Sequence, residues 1–110
     1  MPSEHRVVLC NAPPAAAEGL AEALVERRLA ACVNVIPGVT SVYRWQGELC
    51  KDQECTLLIK TTRGRLSALT TALEALHPYD LPEIIALPIC PGEGQARYLE
   101  WVTKEVSEEP

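Results

Sequence analysis

The sequence holds no phenylalanine, one methionine and two tryptophans, and aromatic residues fill only 5% of its 110 positions. This scarcity argues against an RNA-binding module. The apolar blocks that read as central strands, Val7 to Cys10 and Leu57 to Ile59, offer no ring on which a base can stack. Positive charge is also short. Ten Lys and Arg face fifteen Asp and Glu, for a net charge of −5, and the basic residues are scattered, so no nucleic acid partner is expected. No apolar run approaches the roughly 18 residues that a membrane helix needs. Met1 to Arg6 lacks the charged-then-apolar order of a signal peptide. These absences predict a cytoplasmic protein with no membrane partner. Five cysteines, an odd number with no CxxC pair, fit neither a disulfide framework nor a zinc knuckle, and most read as small core residues. A glycine-rich phosphate loop, a GxSxG elbow and an HExxH helix are all missing, so no reaction and no catalytic residue can be named.

What is present is an ordinary globular composition, 47% hydrophobic and 23% charged, in a length that suits one domain over residues 1–110. Val7 to Cys10 reads as a buried strand ended by Pro13 and Pro14. From Ala15 to Arg28, Ala17, Leu20, Ala21 and Leu24 share one helical face, with Glu18 in the first turn and Arg27 and Arg28 in the last. Cys32 to Ile36 and Val39 to Trp45 are β-prone, with Pro37-Gly38 marking either a bulge in one long strand or a break between two. Gln46-Gly47 is a tight turn into a second arm that ends in Thr56 to Thr61. Leu66, Leu69, Leu73 and Leu76 define a second helix that Pro78 stops at His77. Ile84 to Leu87 is a fourth strand. A last helix runs from about Gln95 to Val106, with Tyr98, Leu99, Val102 and Val106 on its apolar face.

The order is βαββαβ with an added helix: an α+β, ferredoxin-like antiparallel sheet with both crossover helices on one face and strand one between strands three and four. The hairpin is too long for it. Arms of about 14 residues reach on the order of 45 Å, whereas a domain of this length is roughly 34 Å across. An overhanging apolar edge carrying Val39, Val42, Tyr43 and Trp45 predicts intersubunit strand pairing in a homo-oligomer. The competing reading is a hairpin bent at Pro37-Gly38 and folded back on its own sheet.

Chemistry concentrates in His77-Pro78-Tyr79-Asp80-Leu81-Pro82-Glu83, where two prolines stiffen the presentation of an imidazole, a phenol and two carboxylates. The topology draws Cys10 to the same edge. A thiolate beside an imidazole suits copper or zinc, with Glu83, Asp80 or a neighbouring subunit completing the donor set. The plain alternative is a rigid connector with a buried, inert cysteine.

The run Glu26 to Gly47, followed in order by Leu58 to Thr61, His77-Pro78-Tyr79, Pro82 to Ile89 and Tyr98 to Val102, resembles the CutA family of divalent-cation tolerance proteins. The resemblance implies a ferredoxin-like subunit in a homotrimer joined through long hairpins. It also implies a cytoplasmic role in tolerance of copper and other divalent cations, and kinship with trimeric PII signalling proteins. Its copper ligands are the strand-one cysteine, matched by Cys10, and a His-His pair before Pro-Tyr, which here is Leu76-His77. Two expectations follow. One is a non-enzymatic, metal-binding trimer using Cys10, His77 and Glu83. The other is a PII-like trimer holding a small ligand or partner segment at intersubunit clefts near Lys60, Tyr79, Asp80 and Glu83.

Overall fold

The computed structural model describes residues 4–107. Its elements are β1 (His5–Ala12), α1 (Pro14–Glu26), β2 (Cys32–Trp45), β3 (Glu48–Thr62), a 3-10 turn (Arg63–Arg65), α2 (Leu66–Leu76), β4 (Ile85–Pro88) and α3 (Ala96–Glu105). The sheet order is β2-β3-β1-β4, antiparallel throughout, which is the expected ferredoxin-like plan with β1 between β3 and β4.

Strand periodicity builds the core. Val8, Cys10 and Ala12 on β1 and Cys55, Leu57, Ile59 and Thr61 on β3 point to one face, where Ala17, Leu20 and Leu24 of α1 and Leu69 and Leu73 of α2 cover them. The Thr61 hydroxyl, fully buried, donates to the Leu29 carbonyl at 2.7 Å, so the polar group brings no desolvation penalty. A smaller cluster of Ala31, Val102 and Val106 seats α3.

Helix boundaries differ from the sequence reading for local reasons. Pro13, extended at φ −60° and ψ 146°, precedes α1, and Pro14 starts it, so Glu18 lies beyond the first turn. The helix ends at Glu26 in a Schellman motif. Leu29 N–H bonds the Leu24 carbonyl and Arg28 N–H bonds that of Val25, with Arg28 in the left-handed region at φ 57°. Arg27 and Arg28 therefore close the helix from outside its last turn. Pro78 ends α2 one residue earlier than expected, leaving His77 extended at ψ 137° and Leu76 exposed. β4 is shifted by one residue and exposed along its length. The cysteine reading is also corrected: only Cys10 and Cys55 are buried, Cys32 and Cys50 are partly covered and Cys90 is exposed.

The hairpin is one long β2 with a bulge between Ile36 and Val39, where Gly38 takes φ 74°. Gln46 and Gly47, both at positive φ, form the two-residue turn whose twist suits adjacent antiparallel strands. β1 pairs with β3 only from Cys55 to Thr62. Val39 to Trp45 and Glu48 to Glu54 thus pair only with each other, and the molecule stretches to 44 Å along its longest axis against 26 and 23 Å across.

Leu57→Ala empties a fully buried position. It is expected to lower the unfolding free energy by about 2–5 kcal/mol in urea denaturation. A loss below about 1 kcal/mol would contradict the core described above.

Candidate functional site

The site grows from the end of α2. Because Pro78 forces His77 out of the helical conformation, the imidazole folds back towards β1 instead of running along the helix axis. Its Nε2 lies 2.8 Å from the Asn11 carbonyl and its Nδ1 accepts the Tyr79 backbone N–H at 3.1 Å. A carbonyl only accepts, so the tautomer with its proton on Nε2 satisfies both contacts. One buried ring thereby ties α2, β1 and the following loop together. The Tyr79 ring leans on it with centroids 4.8 Å apart and reaches outward, its hydroxyl donating to Glu54 Oε2 at 2.8 Å.

Electrostatics at this pole are negative. Burial first, and then the charges of Glu83 and Glu54, push the Cys10 thiol from 9.0 up to about 12. Burial and the bond to Glu54 likewise carry Tyr79 far above the ordinary phenol range. On the hairpin, the Tyr43 hydroxyl donates to Asp52, and that bond raises Tyr43 to about 12. Between the hairpin overhang and the loop after α2 lies an open cleft of about 690 Å³. Tyr43, Trp45, Glu54, Tyr79, Asp80 and Glu83 are in its walls.

Of the residues singled out in the sequence, Tyr79, Asp80, Glu83, Val42, Tyr43 and Trp45 border this cleft. Cys10 and His77 sit behind its wall, in the core and at the strand edge. Val39 lies half-buried at the bulge. Lys60 is elsewhere in the chain: it lies opposite Cys32 in the β2–β3 register, bonds Asn34 and approaches Cys32 Sγ at 4.0 Å. Among the described residues no group of three His, Cys, Asp or Glu is placed to hold a metal ion, so the chain by itself presents no ready-made centre. Sequence reasoning missed Glu54 and Asp52. Period two along β3 sets both on the face opposite Leu57, but the burial of Glu54 depends on Tyr79 arriving from α2.

The profile described as CutA1 divalent ion tolerance protein matches residues 6–105. The chain belongs to this family. A CutA relative from Thermus thermophilus, a divalent-cation tolerance protein, is 55% identical over 99 residues, which are 89% of this chain and 94% of that one. The Xenopus laevis CutA homolog is 50% identical over 92 residues, and there the chain spans only 60% of the relative's length. Among solved structures, the PII-like protein CutA from Nostoc sp. PCC 7120 in apo form superposes with a TM-score of 0.89 at 35% identity, covering 93% of this chain and 97% of that one. The family match spans the hairpin and the Pro78 turn, and the family is described by divalent-ion tolerance.

Two outcomes test this geometry. His77→Ala deletes two hydrogen bonds and is expected to cost about 1–3 kcal/mol of stability in chelator-treated protein. Unchanged stability without metal would mean that the ring serves a ligand and not the fold. Between pH 9.0 and about 12 the unfolded chain has released the Cys10 proton while the folded chain keeps it. The unfolded state then binds fewer protons, so stability falls as pH rises through this window. Cys10→Ala should flatten part of that slope in unfolding curves recorded across it; an identical slope would contradict the buried thiol.

Proposed function

We propose that this CutA-family chain acts in divalent-cation tolerance as a non-enzymatic, cytoplasmic homotrimer that binds metal ions, copper among them, at the pole that carries Cys10, His77 and Glu83. The observation that carries this reading is a shared acceptor beside an acidic wall: Cys10 Sγ lies 3.8 Å from the Asn11 carbonyl that His77 Nε2 approaches at 2.8 Å, and the nearby cleft wall holds the carboxylates of Glu54 and Glu83, which make the field there negative. Such a field favours any cation that approaches, and the pairing of sulfur with nitrogen selects softer metals over magnesium or calcium. The folded chain fits the ion only after two changes. Cys10 must surrender its proton, and His77 must exchange one of its two hydrogen bonds for the metal. A non-enzymatic role accords with the same facts, since a raised thiol beside a fully bonded imidazole is a poor nucleophile–base pair. Five free cysteines suit a reducing compartment. Self-association is supported by the apolar overhang of the hairpin, a ribbon with no third strand beside it in which Val42, Tyr43 and Trp45 remain exposed, and the number three follows the family resemblance.

A second reading is favoured by a separate observation, the cleft of about 690 Å³, which lies within the usual range for small-molecule sites. In that reading the protein is a PII-like signalling or scaffold trimer whose cleft holds a small ligand or a partner segment.

Copper titration of chelator-treated protein tests the first reading. Binding in the parent is expected to release about one proton per ion at neutral pH and to tighten as pH rises, because a thiol near 12 must be deprotonated. Cys10→Ser and His77→Ala should each weaken it at least about tenfold. If both variants bind copper as the parent does, the metal site drawn here is wrong.

A further inference from the structure

The strand alternation that turns Leu57, Ile59 and Thr61 towards the helices turns Lys60 to the opposite face of the sheet, where its register partner on β2 is Cys32. There Lys60 Nζ donates to Cys32 Sγ at 4.0 Å and to the Asn34 side-chain oxygen. The Tyr98 hydroxyl arrives from α3 and bonds the same sulfur. Partial burial first, and then the charge and the bond of Cys32, raise Tyr98 above the ordinary phenol value, so the proton stays on its oxygen and is donated to sulfur. A thiol, an amine and a phenol thus meet at one point. Cys32 and Lys60 are both only partly covered, so a reagent in solution reaches them.

The other four cysteines are placed differently. Cys10 and Cys55 are buried, Cys50 donates to the Glu48 carbonyl, and the bond and charge of Glu93 raise the exposed Cys90. Among the described residues Cys32 is the one cysteine that a lysine bonds. A partly exposed sulfur that accepts from an ammonium and a hydroxyl has the surroundings that favour the nucleophilic thiolate. The amine beside it supplies a second nucleophile at close to attack distance. Such a pair divides an acyl transfer into two easier steps, because sulfur exchanges readily with another thioester and nitrogen then traps the group as the more stable amide.

We propose that Cys32 and Lys60 form a self-modification site for acyl thioesters, in which the cysteine takes up the acyl group and hands it to the lysine. The Cys32 thiolate attacks the thioester carbonyl, a new C–S bond forms, and the donor's thiolate leaves and takes up a proton. The neutral Lys60 amine then attacks the same carbonyl carbon. A C–N bond forms, the C–S bond to Cys32 breaks, and the proton lost from nitrogen returns to sulfur. The sum is one acyl group moved from the donor thiol to Lys60, with no oxidant or reductant consumed. Starting from 4.0 Å between Sγ and Nζ, an acyl carbon on the sulfur comes within the near-attack range of about 3–3.5 Å from the amine, the condition under which an intramolecular step gains most. Acylation removes the positive charge of Lys60 from this face of the sheet. Neither residue belongs to the pole of Cys10 and His77 or to the walls of the cleft, so the assignment depends on neither reading above.

Peptide mass spectrometry of the reduced, chelator-treated full chain, sampled over time with acetyl-coenzyme A as the probe, tests the assignment. Lys51 and Lys104, both exposed and without a cysteine partner, serve as internal references. In the parent, Lys60 is expected to be acetylated at least tenfold faster than either reference. Cys32→Ser should bring Lys60 down to the reference rate and leave Lys51 and Lys104 unchanged. Lys60→Arg blocks the second step, so it should accumulate on Cys32 an acetyl group that neutral hydroxylamine removes. Unfolding the parent in urea should abolish the preference for Lys60, since the fold and not the local sequence brings the two residues together. A Lys60 rate that is no faster than the references, or that is the same in Cys32→Ser as in the parent, overturns the proposal. So does a Lys60→Arg chain whose Cys32 never carries a hydroxylamine-labile acyl group.

Discussion

A hairpin that outruns its partner strand sets the terms for everything else in this molecule. β3 runs for 15 residues, but β1 offers only eight positions to pair with it, from Cys55 to Thr62. The outer part of the hairpin, Val39 to Trp45 with Glu48 to Glu54, is a two-stranded ribbon with no third strand beside it. Isolated two-stranded ribbons are marginal in water, and exposed apolar edges invite pairing. The bulge at Ile36 and Val39 and the turn at Gln46-Gly47 let this ribbon twist without breaking. Its projection beyond the sheet also creates the cleft, because the loop after α2 stands opposite the ribbon where no strand fills the gap.

The second determinant is one peptide unit. Pro78 ends α2 and turns His77 onto β1, and from that position Tyr79 reaches Glu54 across the sheet edge. Helix termination, core anchoring and the acidic character of the cleft therefore depend on the same short loop. A polar ring with both nitrogens satisfied explains how a buried histidine is tolerated here. It also explains why the imidazole that a metal would use is already committed to the fold.

Element order, sheet topology and hairpin length were legible in the sequence because each rests on local periodicity and on proline and glycine punctuation. Leu66, Leu69 and Leu73 announce α2, and the run from Cys32 to Trp45 announces a strand too long for its domain. The bulge, left open between two readings, is decided by pairing on both sides of Pro37-Gly38. Helix ends were less legible: nothing in Arg27-Arg28 indicates that Arg28 adopts the left-handed conformation that glycine normally takes at such a cap. The site was legible only in part. His77 to Glu83 stood out as a cluster, but the role of Glu54 arises from a contact across 25 residues of chain. The placement of Lys60 near Cys32 and away from Tyr79 follows from strand register, which periodicity alone does not fix.

The central claim is that the overhanging ribbon is completed by other copies of the chain. Its most direct test is the molar mass in solution by multi-angle light scattering, from micromolar concentration downwards. The account predicts a mass about three times the 12.0 kDa of one chain, lost in a variant that places charge on the ribbon, Val42→Lys with Trp45→Glu. A parent protein that remains folded at the mass of a single chain would contradict it.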